Sequence, residues 1–329
     1  MASKKSVFML VAALMVLAEV GVDASPVRSA KLDFNGDGRS DLAVYDNGFW
    51  AVMSLDSKNP YWREKRLGKM ASSPVPGFYA GSRVRMEAAA VGGFPQHAAV
   101  YNAGTWHMQD MDETFWKVQA SFGFAGAVPV PGDYDGDGVT DLAVYSKGAW
   151  YIIQSSGRYR QINFGFDGGH PLVGDFNGDG KDDPVIVWVD PATRLMRWAV
   201  YFSPTEIRRF TFGGAGAIPV PGYHHNTENP AAVPTKMNPA VYHVDPVTRK
   251  GAFYISKTGG ADGKPIKLDI GTGSDIPVGG CDFDGDGKGD IAVYNGETGV
   301  WTIGMSRAGG RTVGFGYKGA KPVGSSTFK

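Results

Sequence analysis

The 329-residue chain balances 33 Lys plus Arg against 33 Asp plus Glu and carries a single cysteine, Cys281. That balance argues against a nucleic-acid binder, which needs a basic patch, and one cysteine rules out an intramolecular disulfide framework. The 47 glycines, with 18 Phe, 14 Tyr and 8 Trp, argue against disorder and predict many short strands joined by tight turns. At the start, Lys4 and Lys5 precede an apolar run from Val7 to Leu17, and Val22-Asp23-Ala24 ends in small residues. This pattern predicts a secretory signal peptide, residues 1–24, cleaved after Ala24. The run is interrupted at Glu19 and is too short to span a bilayer comfortably. The expected mature chain, residues 25–329, is then one periplasmic or extracellular domain. No later stretch has transmembrane length. An exported protein without disulfides needs another source of stability, and bound metal is the obvious candidate.

A repeat occupies the remainder. Unit one is Asp33-Phe34-Asn35-Gly36-Asp37-Gly38-Arg39-Ser40-Asp41 followed by Leu42-Ala43-Val44-Tyr45. Asn47-Gly48 then marks a hairpin into Phe49-Trp50-Ala51-Val52-Met53. Unit two lacks the acidic loop: Phe78-Tyr79 replaces it, and the strand phrase returns at Ala99-Val100-Tyr101 with Trp106 in its partner. Unit three is Asp133-Tyr134-Asp135-Gly136-Asp137-Gly138-Val139-Thr140-Asp141, followed by the Tyr145 and Trp150 strands and Phe164-Gly165. Unit four opens with Asp175-Phe176-Asn177-Gly178-Asp179-Gly180-Lys181-Asp182-Asp183 and pairs a Val185–Trp188 strand with Trp198. Unit five has again lost the loop, at Tyr223-His224-His225. Unit six restores it as Asp282-Phe283-Asp284-Gly285-Asp286-Gly287-Lys288-Gly289-Asp290.

The anchors at 45, 101, 145, 188, 242 and 294 are spaced by 56, 44, 43, 54 and 52 residues. Four short strands per unit at this period predict an all-β fold, a β-propeller of four-stranded blades. The chain ends with Pro322-Val323-Gly324, the phrase that elsewhere precedes a loop, while the mature chain begins at a loop. The C-terminal segment therefore completes the first blade, giving six blades and no unpaired sheet edge. A seventh requires a hidden unit within 54–98 or 224–240.

In the third loop, carboxylates stand at relative positions 1, 3, 5 and 9: Asp133, Asp135, Asp137 and Asp141. The Val139 carbonyl at position 7 can add a fifth oxygen. A hard cation suits this set; Ca²⁺ takes six to eight oxygens at about 2.3–2.6 Å, whereas Mg²⁺ prefers rigid octahedra that keep several waters. Recurrence at equivalent, dispersed places points to structural ions.

The phrase Asp-x-Asp/Asn-Gly-Asp-Gly-x-x-Asp-Leu-Ala-Val-Tyr resembles the FG-GAP/VCBS repeat family, the calcium-loop blades of integrin α-subunits and of exported bacterial propellers. The resemblance covers the mature chain and is weak in units two and five. It implies one Ca²⁺ per intact loop. The four sites it implies are Asp33, Asn35, Asp37 and Asp41; Asp133, Asp135, Asp137 and Asp141; Asp175, Asn177, Asp179 and Asp183; and Asp282, Asp284, Asp286 and Asp290. Backbone oxygens would come from Arg39, Val139, Lys181 and Lys288. The family does not define a substrate; its members include adhesion, glycan-binding and enzyme-associated proteins.

The Trp strands (Trp50, Trp106, Trp150, Trp198 and Trp301, with Phe253 in unit five) suit packing between blades better than a glycan platform. Tyr61, Trp62 and Trp116 lie outside the repeat and are better candidates for exposed ligand contacts. His224, His225 and Glu228 could bind a transition metal or perform acid–base chemistry, against the plainer reading of a degenerate loop. There is no nucleophile elbow, phosphate loop or zinc signature. The expected function is an exported calcium-binding module for extracellular glycan or protein. The alternative is a polysaccharide lyase or hydrolase with its site at the axial mouth. The divergent stretches 78–98 and 223–239 are the places where function is expected.

Overall fold

The computed structural model describes residues 31–58, 60–79, 95–112, 117–224, 234–257 and 263–325. The expected signal peptide, Trp116, His225 and Glu228 lie outside these residues. Within them the chain forms twenty-four strands in six four-stranded antiparallel sheets. Blade one contains β1 (Leu42–Asp46), β2 (Phe49–Met53) and β3 (Trp62–Arg66). Blade two contains β4 (Ser73–Pro74), β5 (Ala98–Asn102), β6 (Thr105–Gln109) and β7 (Lys117–Ser121). Blade three runs through β8 (Val128–Pro129), β9 (Leu142–Ser146), β10 (Ala149–Ile153) and β11 (Tyr159–Asn163). Blade four has longer strands: β12 (His170–Gly174), β13 (Asp183–Val189), β14 (Leu195–Ser203) and β15 (Glu206–Gly214). Blade five is β16 (Ile218–Pro219), β17 (Ala240–Val244), β18 (Lys250–Ile255) and β19 (Ile266–Thr272). Blade six is β20 (Asp275–Cys281), β21 (Asp290–Asn295), β22 (Val300–Met305) and β23 (Gly309–Gly314). Finally β24 (Lys321–Pro322) pairs Val44 with Pro322 and Tyr45 with Lys321, so the end of the chain supplies the inner strand of blade one. The six-bladed ring and its closure agree with the repeat count.

Each hairpin follows from local chemistry. Asn47 and Gly48 both take positive φ, 46° and 92°, as the two-residue turn between twisted strands requires. A Cβ on Gly48 would also meet the Gly68 carbonyl at 2.6 Å, so the turn seats directly against the end of its own blade. The second strand of each blade is buried on both faces because neighbouring blades cover both; Leu42, Ala43 and Val44 are all at most 1% exposed. That is why these strands are continuously apolar instead of alternating.

The tryptophans are packing residues. Trp50, Trp106, Trp150, Trp198 and Trp301, with Phe253, are all fully buried. In four blades the indole N–H donates to the Phe-Gly strand: Trp106 to Phe122, Trp150 to Phe164 and Trp198 to Phe212, each at 2.8 Å, and Trp301 to Phe315 at 2.9 Å. Blade one has Leu67-Gly68 there, and the Trp50 Nε1 finds no partner among the described residues. Tyrosine rings sit against them, as in Tyr145–Trp150 with centroids 5.2 Å apart. Blade four departs from the expected anchor. Val187, not Trp188, pairs with Trp198. A one-residue offset turns a strand side chain to the opposite face, so Trp188 meets Phe166 of blade three instead, and Phe210 stacks on Trp198 at 5.8 Å.

Candidate metal centre

The acidic loops at 133, 175 and 282 connect the inner strand of a blade to its second strand, and the loop at 33 leads into the second strand of blade one, whose inner strand comes from the end of the chain. In every intact loop the position-1 carboxylate is a backbone cap: Asp133 accepts from the Gly136 and Gly138 N–H groups, both at 2.7 Å, and Asp282 accepts from Gly285 and Gly287 at the same distance. The position-9 carboxylate accepts from the N–H at position 2: Asp41 from Phe34 (2.8 Å), Asp141 from Tyr134 (3.0 Å), Asp183 from Phe176 (2.9 Å) and Asp290 from Phe283 (2.8 Å). The aromatic at position 2 is buried each time, which pins the loop to the core.

The four loops then divide into two kinds. Among the described residues, carboxylates converge in two groups, Asp133–Asp135–Asp141 and Asp282–Asp284–Asp290, each offering three oxygens within 4.8 Å of one another. Oxygens 2.3–2.6 Å from a common ion lie at most about 5 Å apart, so both groups have the span that Ca²⁺ requires. In each, one buried oxygen of the position-3 carboxylate, Asp135 Oδ1 or Asp284 Oδ1, has no hydrogen-bond partner among the described residues. A buried acceptor in that state carries a full desolvation penalty, which a bound cation relieves. In the loops at 33 and 175 position 3 is Asn. Its amide donates to the position-5 carboxylate, Asn35 to Asp37 and Asn177 to Asp179, both at 3.1 Å. In those two loops the side chains thus bond to one another in place of a converging carboxylate set.

Position 5 stands apart from both convergent groups. Asp137 Oδ2 accepts from Ser155 Oγ at 2.7 Å, and Asp286 Oδ2 accepts from Ser306 Oγ at 2.8 Å. The same serines donate their backbone N–H to Asp141 and Asp290, each at 2.7 Å. These serines orient two carboxylates apiece, and the sequence reading did not single them out. The signal was a serine five residues after the blade tryptophan, at 155, 203 and 306. Of the position-7 residues, Arg39 lies across Gly285 and Lys181 across Gly136, each loop reaching over a glycine of its neighbour, while Lys288 Nζ is 3.6 Å from Asp286. The side chain of Val139 is buried.

Burial is the largest cause of the carboxyl shifts, and neighbouring carboxylates add to it. Asp41 and Asp141 are pushed up to about 8, Asp183 and Asp290 to about 7, and Asp33 and Asp133 to about 6. Without a counter-ion these loops favour protonated acids; a cation favours the ionised form.

A second arrangement unites intact and degenerate units. The carbonyl at position 1 of each blade accepts from a backbone N–H of the next: Gln96 to Asp33 (2.6 Å), Thr140 to Phe78, Asp182 to Asp133, Met237 to Asp175, Gly289 to Tyr223 and Ser40 to Asp282 (each 2.7 Å). Six bonds close a ring. Three position-8 side chains bond back to the same peptides: Ser40 accepts from Asp282 N (2.8 Å), Thr140 from Phe78 N (3.0 Å) and Asp182 from Asp133 N (2.8 Å). The preceding glycine allows this approach; a Cβ on Gly132 would lie 2.6 Å from Val173. The described parts of the divergent stretches, Phe78, Gln96, Tyr223 and Met237, thus serve the ring. His224 is buried, with Nδ1 3.3 Å from the Gly289 carbonyl and Nε2 3.2 Å from that of Val220. Burial lowers its pKa. Trp62 is 55% exposed, whereas the Tyr61 hydroxyl is buried.

No protein-family model matches the chain and no curated protein matches it, so the FG-GAP/VCBS resemblance stands on the loop phrase. Solved structures similar to this chain include a streptogramin B lyase, at 9% identity and TM-score 0.44 over 86% of this chain and 85% of that one. The BBS1N–ARL6DN complex matches at 13% identity and TM-score 0.45, over 92% and 85%. A catalytically inactive virginiamycin B lyase from Staphylococcus aureus with quinupristin matches at 11% identity and TM-score 0.40, over 85% and 86%. The six-bladed assignment rests on the strand pairing itself.

Proposed function

We propose that this chain is an exported, calcium-clamped β-propeller that serves as a binding module for extracellular glycan or protein. The observation that carries the calcium reading is the pair of convergent carboxylate groups, each with a buried, unpartnered oxygen at Asp135 or Asp284. Asp133, Asp135 and Asp141 hold one ion and Asp282, Asp284 and Asp290 another, with the loops at 33 and 175 as weaker sites. Bound Ca²⁺ supplies positive charge that neutralises crowded carboxylates. The protein's own groups cap the loop, exclude water and align the acids through Ser155 and Ser306.

The ions are structural in this reading: an ion held at the Asp133 or Asp282 loop would sit beside the hydrogen bond to the neighbouring blade, so cation binding and blade-to-blade cohesion would be coupled. Export follows from the residues 1–24 pattern, and mass spectrometry of secreted protein should find Ser25 at its start. Calorimetric titration of Ca²⁺ into metal-stripped protein tests the site assignment. Asp135→Ala and Asp284→Ala should each remove one tight site; unchanged stoichiometry in both variants overturns it.

A further inference from the structure

The outer half of blade three carries a shelf that the calcium loops do not use. Phe124, in the connection entering blade three, is 44% exposed. Its ring stands edge-to-face against Tyr151 of β10, with centroids 5.7 Å apart and planes at 81°. Register places Tyr151 opposite Gln161, Ala149 opposite Asn163 and Ile153 opposite Tyr159, so alternate residues of β10 and β11 share one face. Along β11 the polar groups form a row: the Tyr159 hydroxyl donates to Gln161 Oε1 (3.5 Å), and Gln161 Nε2 donates to Asn163 Oδ1 (3.2 Å). Tyr159 is 46% exposed. Five residues of strand make the shelf about 14 Å long.

Related aromatic corners occur at two other junctions, but charge surrounds them. Tyr317 meets Phe49 at 6.4 Å, with the Arg66 guanidinium over Phe49 and the Tyr317 hydroxyl on Asp46. Phe166 meets Trp188 beside the Lys147–Asp167 and Arg197–Asp190 pairs. The shelf on blade three instead borders its rings with primary amides and a phenol. Each amide offers two N–H donors and a carbonyl acceptor, more than the row consumes.

From this juxtaposition we propose that Phe124, Tyr151, Tyr159, Gln161 and Asn163 form a binding site for a neutral oligosaccharide. Pyranose rings present a face of C–H groups, which suits the negative face of an aromatic ring. Their hydroxyls both donate and accept, matching the amide row. An anionic polymer finds no positive group in this set. The length of the shelf suits several linked sugars better than one. This inference rests on the binding-module reading and names its ligand.

Affinity electrophoresis of calcium-loaded protein in native gels containing soluble β-1,4-glucan, xylan, β-mannan or alginate tests it. We expect retardation by at least one neutral polysaccharide and none by alginate. Phe124→Ala and Gln161→Ala, both at exposed positions, should each weaken retardation about tenfold, equivalent to about 1.4 kcal/mol. Tyr317→Ala at the charged corner should leave it unchanged. Retardation by alginate alone, retardation equal in wild type and both shelf variants, or no retardation by any neutral polysaccharide overturns the proposal; the last result favours a polypeptide ligand. Failure of the calcium reading registers separately, as unchanged Ca²⁺ stoichiometry in the Asp135 and Asp284 variants.

Discussion

Chelation should make this protein lose stability as pH rises from 6.5 to 7.5. Folded Asp41 and Asp141 titrate at about 8, against an ordinary value of 3.8. Through that window each is protonated when folded and ionised when unfolded. The folded state then binds more protons, so unfolding free energy falls as pH rises, by about 1.4 kcal/mol per group per pH unit. Asp183 and Asp290, at about 7, contribute over the lower half of the window. The sum is about 3–4 kcal/mol, and for a chain of this size about 1 kcal/mol moves the melting midpoint by roughly 2 °C, giving a fall of about 6–8 °C. Buried His97 and half-buried His170, lowered to about 4 from 6.5, act in the opposite sense, as does buried His224, which is also lowered. A depressed histidine gains stability as pH rises from its folded to its unfolded pKa; at pH 6.5 the unfolded imidazole is half protonated, so about 0.3–0.4 kcal/mol per histidine is still gained across the window, small beside the carboxyl sum. Saturating Ca²⁺ should raise the midpoint and abolish or reverse the slope, because it requires deprotonated ligands. The assay is thermal unfolding by circular dichroism at three pH values, with chelator and with Ca²⁺. A chelated midpoint that stays level or rises across the window, together with no effect of calcium, would refute the reasoning.

Three further outcomes are expected. Ser306→Ala should lower Ca²⁺ affinity at the Asp282 loop by about tenfold in calorimetry, since residues that orient metal ligands carry 10–100-fold effects; Ser203→Ala, whose hydroxyl contacts Thr205, should not. Thr140→Val removes the acceptor for the Phe78 N–H and should cost about 1–2 kcal/mol in urea unfolding, which Thr140→Ser should recover. Trp150→Phe should cost about 1–2 kcal/mol more than Trp50→Phe, because Trp150 loses a 2.8 Å hydrogen bond while Trp50 loses an unpartnered donor; equal losses would show that the indole bonds contribute nothing.

Some of this protein is determined by local sequence alone. Turn pairs such as Asn47-Gly48, apolar strands bounded by them and a recurring acidic loop act over a few residues, so the period of four strands and the count of six blades are readable directly. Ring closure follows as well, because Pro322-Val323-Gly324 repeats a phrase whose partner strand lies at the opposite end of the chain. The candidate metal ligands are visible for the same reason, all of them within nine residues. Only tertiary structure decides what neighbouring blades do to one another. It makes two loops convergent and leaves two internally bonded, sets Ser155 and Ser306 against carboxylates 14 to 20 residues away, and turns Trp188 onto Phe166 of blade three through a one-residue offset. It also shows that Phe78 and Tyr223, where the acidic phrase is lost, still accept the bond that joins their blades. The ring depends on backbone carbonyls, which every residue carries, so no side-chain pattern records it. The shelf of Phe124, Tyr151 and Gln161 is legible only after folding for a related reason: an aromatic two residues after the Phe of the Phe-Gly phrase recurs at 124, 166 and 317, but its ring partner comes from a different strand position each time, Tyr151, Trp188 or Phe49.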